Sequence, residues 1–392
     1  MQYSVKLPSP ANEMVREEIA KQAAHVSRAV GAIRFADDHQ TLEFTFDGPD
    51  GEIIRAKVEE TAIRLQRSLR SLERKLLHRT EGPSGRPLVA EGVLPPGATM
   101  LGAGQVALQG IAQSLFRFFD RIFREFGEPW QPIDLLTPTL MPATALAKCD
   151  YFRSFPQYVT FATHIQEDFQ HIADFRARHQ KRDSLDEQAL SDMVTPDVCL
   201  SPAVCYHVYH LHADGAIPGL GATYSVCGKC FRFESTNMRD LRRLWDFTMR
   251  ELVFVGTRDW VLGQRDKAIG RFVPTLKSLG VAAEIRTASD PFFIAPDAAA
   301  KAYFQLSSET KYEIALELNP GDFMAVGSFN YHTDFFGKAF SVRDGAGGPM
   351  HSVCVAFGLE RWVHGFIFQH GPNPAHWPDA VRNAPEIAQA KT

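Results

Sequence analysis

At 392 residues the chain is too long for one small core and fits two domains, one of them large. It is 45% hydrophobic and 22% charged, and its net charge of -4 excludes a chain built as a whole to bind nucleic acid. No apolar run of about 18 residues is present and the opening "MQYSVKLPSPANEMVREE" lacks the apolar stretch of a signal peptide, so no membrane span and a cytoplasmic location are expected.

Residues 1 to about 80 read as a small α/β unit. "QYSVKL" alternates as a strand, and "PANEMVREEIAKQAAHVSRAV" reads as a helix with Pro10 suited to its start. "TLEFTFDGPDGEIIRAKV" predicts two strands around the turn Gly48-Pro49-Asp50-Gly51. A helix from about Glu59 to His78 follows, with Leu65, Leu69, Leu72 and Leu76 on one stripe. Its other faces carry Arg64, Arg67, Arg70, Arg74, Lys75 and Arg79. Such a basic face is either solvated or a docking surface for an acidic partner.

Residues 81–100 are rich in Pro and Gly and predict a linker, which leaves 101–392 as the large domain. "GQVALQGIAQSLFRFFDRIFREFGEPW" reads as one long helix with Leu115, Phe119, Ile122 and Phe126 on one side. Its apolar arc is wide enough to pack on two sides or to lie in a subunit interface. "IDLLTPTLMP" follows as a short extended piece. From Asp197 onward the pattern turns to strands: "VCYHVYHL", "ATYSVCGKCFRFES", "LWDFTMRELVFVG", "KYEIALEL", "FMAVGSFNYH" and "HSVCVAFGLE", with a helical stretch at Asp259 to Leu279. Antiparallel strands with segregated helices predict an α+β fold.

The six cysteines of an intracellular chain read as free thiols or metal ligands rather than a disulfide framework. Cys227 and Cys230 have C-x-x-C spacing, but a pair inside an alternating strand points its sulfurs to different faces, so these read as buried small residues. Cys205 and Cys354 sit in strand-like runs, and Glu251 is an acid among Leu252, Val253, Phe254 and Val255. Each cysteine alone reads as a core residue. With a carboxylate, two thiols make a three-ligand set with an open fourth position, the arrangement of catalytic zinc.

"CFRFES" places Arg232 and Glu234 on one strand face and Phe231 and Phe233 on the other. That is either a cross-strand salt-bridge face or a phosphate contact, for which the planar, permanently charged guanidinium is suited. The basic loop with Arg239, Arg242 and Arg243, and Phe247 on the returning strand, suit a nucleotide whose base stacks on the ring. Further on, Arg361 stands between two apolar runs in "HSVCVAFGLERWVHGF", where an arginine needs an ion-pair partner or an anion.

"FRFE", the loop, the return through Phe247 and "GLERW" resemble motifs two and three of the class II aminoacyl-tRNA synthetases. "FGEPWQPIDLLTPTLMP" is similar to their motif one, which lies at a dimer interface. More narrowly, "AVCYHVY", "CFRFES", "MREL", "SDPFF", "SFNYHTDFFGKAF" and "HSVCVAFGLERW" resemble the amino acid:[carrier protein] ligases, relatives of the zinc-dependent, archaeal-type seryl-tRNA synthetases.

The resemblance implies a class II synthetase-like antiparallel sheet flanked by helices, a homodimer, and ATP-dependent adenylate formation from a small amino acid. It implies zinc on Cys205, Glu251 and Cys354, with Mg²⁺ bridging the ATP phosphates. Arg232 would hold the α-phosphate and Arg361 the γ-phosphate, while Glu234 and Phe247 would take the adenine. Ser328 and Asn330 would lie near nucleotide or substrate, and Glu360 would orient Arg361 or help hold magnesium. The implied acceptor is the phosphopantetheine thiol of an acyl carrier protein rather than tRNA. About 80 residues precede the part that resembles the compact ligases. If they dock the acceptor, the chain without them should still form adenylate. Two other readings stay open: a synthetase-like enzyme with tRNA or another acceptor, and a non-catalytic paralogue.

Overall fold

A computed structural model describes residues 1–27, 29–69, 74–85, 88, 90, 92–233, 238–289, 305–306 and 308–389. The chain opens with β1 (Gln2–Lys6), α1 (Glu13–Ala23), β2 (Val30–Phe35), β3 (Thr41–Phe46) and α2 (Gly51–Leu69). Asn12 caps α1 by accepting from the Val15 N–H at 2.9 Å. The strands form an antiparallel sheet in the order β1-β3-β2, and Val15, Ile19, Phe44, Val58 and Leu65 fill its core.

This unit differs from the sequence reading in three ways, the first being that α1 ends at Ala23 and Val30, expected in the helix, begins β2. "GEIIRAKV" begins α2 instead of returning as a strand. Ile54, Val58, Ala62, Leu65 and Leu69 recur at helical spacing and are all buried, so the 3.6-residue period overrides the turn signal. The helix reaches only Leu69, and Leu76 lies instead on β4 (Leu76–Thr80), which is the edge strand of the main sheet. The expected basic helix face is therefore broken up. Arg74 pairs with Glu17, Lys75 with Glu309, and Arg79 with Glu284, while Arg64 and Arg67 are exposed. Leu72 and Arg70 lie outside the described residues.

Next come a hairpin, β5 (Ala98–Gly102) and β6 (Gln105–Leu108), and then α3 (Gly110–Gly127). "GQVAL" is thus a strand, not the start of the long helix. α3 buries Leu115, Phe118, Phe119, Phe123 and Phe126 against neighbouring elements of its own chain. β7 (Ile133–Leu135) pairs in parallel with the strand at Gly221–Phe231 at the far edge of the main sheet, and Leu136 beside it is 93% exposed. β8 (Leu140–Pro142), β9 (Phe161–Ala162) and β10 (Val198–Leu200) form a small antiparallel sheet, and α4 (Phe169–His179) stands on its connection.

"VCYHVYHL" forms α5 (Cys205–Leu211) and not the expected strand. Cys205, Val208 and Tyr209 recur at helical spacing and are all buried, and a short run apolar on several sides does not reveal its period. The elements that follow include β11 (Gly221–Phe231), β12 (Asp246–Gly256), α6 (Arg258–Leu279), β13 (Ala283–Thr287), β14 (Lys311–Asn319), β15 (Asp322–Tyr331), β16 (His351–Gly358) and α7 (Leu359–His370).

Among the described residues the main sheet has eight strands in the order β4-β13-β14-β15-β16-β12-β11-β7, antiparallel except at β7. α3, α6 and α7 cover one face through a core of stacked aromatics, in which the Phe123 and Phe357 rings lie 4.1 Å apart. The other face carries a second core around α5. Gly327 lets β15 and β16 pass closely: a Cβ there would meet the Ala356 carbonyl at 2.7 Å. No helix among the described residues is long and apolar enough to cross a membrane.

Candidate active site

Alternation along β12 and β16 decides what the sheet presents. Leu252 and Phe254 enter the core under α3 and α6, and Val253 and Val255 the core under α5. Val353, Val355 and Phe357 likewise face the first core, and Cys354 and Ala356 the second. The register pairs Glu251 with Ala356 and Val253 with Cys354, so Glu251 and Cys354 are diagonal neighbours on one face. Cys205, in the first turn of α5, completes the group. One ligand atom from each of the three lies within 4.8 Å of the others, and all three residues are buried.

Cys354 Sγ donates to Glu251 Oε2 at 2.9 Å, while Glu251 Oε1 is buried with no hydrogen-bond partner among the described residues. A buried carboxylate oxygen in that state is costly and calls for a cation or a proton. Burial raises the Glu251 carboxyl against the lowering effect of the Cys354 and Cys205 thiols, and burial also pushes the Cys354 thiol well up. A cation would invert both preferences. Two sulfurs and a carboxylate match the ligand chemistry of zinc and leave a fourth position for a substrate. Cys227 and Cys230 do not join the group. Cys230 is buried in the core under α5, and Cys227 packs against the opposite core, as the odd spacing implies.

A cavity of about 510 Å³ adjoins this triad through Ala356. Its lining includes Arg232, Phe247, Ser328, Gly358, Glu360 and Arg361. Arg232 lies just past β11 rather than on it; its Nε donates to the Pro202 carbonyl at 2.9 Å and its guanidinium sits 5.4 Å from the Phe247 ring centre. Arg361 is the third residue of α7 and donates to the Ala325 carbonyl at 3.1 Å. A Cβ at Gly358 would meet nothing closer than the Val326 carbonyl at 3.7 Å, so packing does not require glycine there.

Glu360 is buried in the first turn of α7. Its two oxygens accept from the Thr248 N–H and hydroxyl, both at 2.8 Å. It therefore ties α7 to β12. Successive helix positions point about 100° apart, which separates Glu360 from its neighbour. Burial raises its carboxyl, against the pull of Lys229. Asn330 pairs across the sheet with Cys354, and its Oδ1 is buried without a hydrogen-bond partner among the described residues. Glu234 and most of "SDPFF" lie outside the described residues.

The cavity also includes residues that the sequence reading passed over: Glu17 and Lys21 of α1, Arg286 of β13, and Lys311 and Glu313 of β14. On β14 a signal existed, because Lys311 and Glu313 alternate with the core residues Tyr312 and Ile314. On α1 no local signal distinguishes Glu17 and Lys21 from a solvated helix face.

No protein-family model matches the chain. Two Bradyrhizobium diazoefficiens proteins, amino acid--[acyl-carrier-protein] ligases 2 and 1, are similar to it. The first is 38% identical over 195 residues, covering 49% of this chain and 58% of the relative. The second is 33% identical over 248 residues, covering 63% of this chain and 74% of the relative. The chain belongs to the amino acid--[acyl-carrier-protein] ligase family. The match thus spans less than two thirds of ligase 2 and about three quarters of ligase 1. For its fold, the crystal structure of M. kandleri SerRS in complex with A. aeolicus tRNASec covers 97% of this ligase family member and 76% of that chain, with a TM-score of 0.68 at 20% identity. The fold is that of a class II synthetase, α+β as the sequence implies, and the likeness includes the N-terminal unit.

Proposed function

We propose that the chain activates a small α-amino acid with ATP as the aminoacyl-adenylate and transfers it to the phosphopantetheine thiol of an acyl carrier protein. The observation that carries this reading is one cavity holding Arg232, Phe247 and Arg361 beside the Cys205, Glu251 and Cys354 cluster. The acceptor follows from the relatives, which are named for a carrier protein. A tRNA acceptor has the weaker support of a fold likeness at 20% identity.

In the first half-reaction the amino acid carboxylate attacks the α-phosphorus and pyrophosphate leaves. Little covalent chemistry falls to the protein, so catalysis rests on positioning and charge neutralisation. Arg232 holds the α-phosphate, Phe247 stacks on the adenine, and Arg361, near the start of α7, meets the γ-phosphate where the helix end also favours an anion. Ser328 on the cavity floor and Asn330 beside Cys354 contact nucleotide or amino acid, and Glu234 contacts the adenine edge. Mg²⁺ would accompany ATP and offset the charge of its phosphates. Zinc, held by Cys205, Glu251 and Cys354, would supply a Lewis-acid position for the neutral α-amino group and so select α-amino acids. A homodimer through the exposed apolar residues around β7, such as Ile133 and Leu136, belongs to the same proposal, as does a cytoplasmic location.

The test is ATP–pyrophosphate exchange by the purified chain across the amino acids singly, with zinc measured in the same sample. Exchange with one or two small amino acids is expected, followed by transfer to a phosphopantetheinylated carrier protein and not to tRNA. No exchange despite bound zinc would overturn the reading.

A further inference from the structure

We propose that α1 of the N-terminal unit is a wall of the nucleotide pocket, and that Lys21 contacts the pyrophosphate portion of ATP. This inference rests on the proposed ATP chemistry and assigns a new part of the chain to it.

α1 has two working faces. Val15, Ile19 and Ala23 sit in the core of the N-terminal unit. Glu17 and Lys21, one turn apart on a neighbouring stripe, line the same cavity as Arg232 and Arg361. The helix is fixed in that position from three sides. Arg74 donates to both Glu17 oxygens, at 3.0 and 2.7 Å. Ser289 Oγ donates to the buried Glu18 at 3.3 Å. Strand β4, which follows the unit, pairs with β13 in the main sheet, and the Lys75 N–H donates to Thr287 Oγ1 at 2.9 Å.

Charge identifies the ligand class. Among the described residues, eight Lys or Arg side chains line the cavity against five Asp or Glu. The acids at the α1 end already have partners: Glu17 has Arg74, and Glu313 has Lys311 at 3.2 Å. Lys21 contributes to the fields at Glu17 and Glu313 but makes no hydrogen bond or ion pair of its own among the described residues. An ammonium left over in a net cationic cavity suits a polyanion.

Position narrows the choice to the pyrophosphate. Phe247 stands on β12 and Glu313 on β14, three strand spacings or about 14 Å across the sheet. With adenine on Phe247 and the α-phosphate on Arg232, the β- and γ-phosphates are the anionic groups left to extend past Arg361 toward α1.

The test is equilibrium binding of Mg-ATP and, separately, AMP to the full-length chain and its variants. Lys21→Ala and Lys21→Gln should each weaken ATP about tenfold and leave AMP within about twofold, the scale of one lost charge-assisted contact. Lys21→Arg should retain ATP binding. Equal losses for both nucleotides, or no loss for either, overturn the inference while leaving the ATP reading intact. A wild-type chain that binds neither nucleotide overturns both.

Discussion

Cys354 Sγ lies 2.9 Å from Glu251 Oε2 across 103 residues of sequence, because β16 and β12 are neighbours in the sheet and both residues face α5. With Cys205 they form a buried set in which one carboxylate oxygen has no hydrogen-bond partner among the described residues. The purified chain is expected to hold about one zinc, and Cys354→Ala to lose it, since a three-ligand site does not survive on two. Metal analysis by plasma mass spectrometry after gel filtration reads this directly. Full zinc retention in the variant would remove the assignment.

Arg232 sits where β11 ends, with its guanidinium near Phe247 and Met249. If it neutralises charge at the α-phosphate, its effect belongs to the transition state more than to binding. Arg232→Ala should lower the rate of amino-acid-dependent pyrophosphate exchange about 10²- to 10³-fold, the usual loss of one such donor. Circular dichroism and zinc content should match the wild type. An unchanged exchange rate rules out the role.

The central strands were legible in the sequence because alternation and turns agreed there. β11, β12, β14, β15 and β16 and helix α6 lie where the pattern places them. Cys205 was harder to place, because the run around it is apolar at several phases and hides a helix within a strand-like pattern. The zinc set came from resemblance; no spacing rule joins residues whose partners lie on different strands and a helix. Lys21 and Arg286 were invisible for a related reason. Their role depends on how α1 docks beside β13, which is tertiary packing between segments far apart in the chain.

The sequence leaves open that the N-terminal unit docks the acceptor, and the contacts of the unit tie it to the main sheet and the cavity. Deleting residues 1–80 removes the α1 wall of the cavity and strips β4 from β13, leaving an unpaired edge. It also leaves the buried Arg286, held 3.8 Å from Glu17, without that partner. The truncated chain should therefore lose adenylate formation and melt at a lower temperature, or aggregate, instead of failing only at transfer. Exchange activity equal to that of the full chain would leave docking as the role of the unit.

His364, one turn beyond Arg361 on α7, is fully buried and neither ring nitrogen has a hydrogen-bond partner among the described residues. Burial, with Arg242 and Arg361 adding to it against Asp240, lowers its pKa from 6.5 to about 4. The unfolded chain therefore takes up this proton near pH 6.5 and the folded chain only near pH 4. Between those values the unfolded state holds the extra proton, so stability falls as pH drops and levels off below about 4. His207 acts in the same direction, burial taking it to about 4. From pH 7 to pH 5, His364 should account for a loss of about 2 kcal/mol. Urea denaturation of His364→Phe should show a pH dependence shallower by about that amount, with the His207 contribution remaining. An unchanged slope would mean that His364 protonates in the folded chain as readily as in the unfolded one.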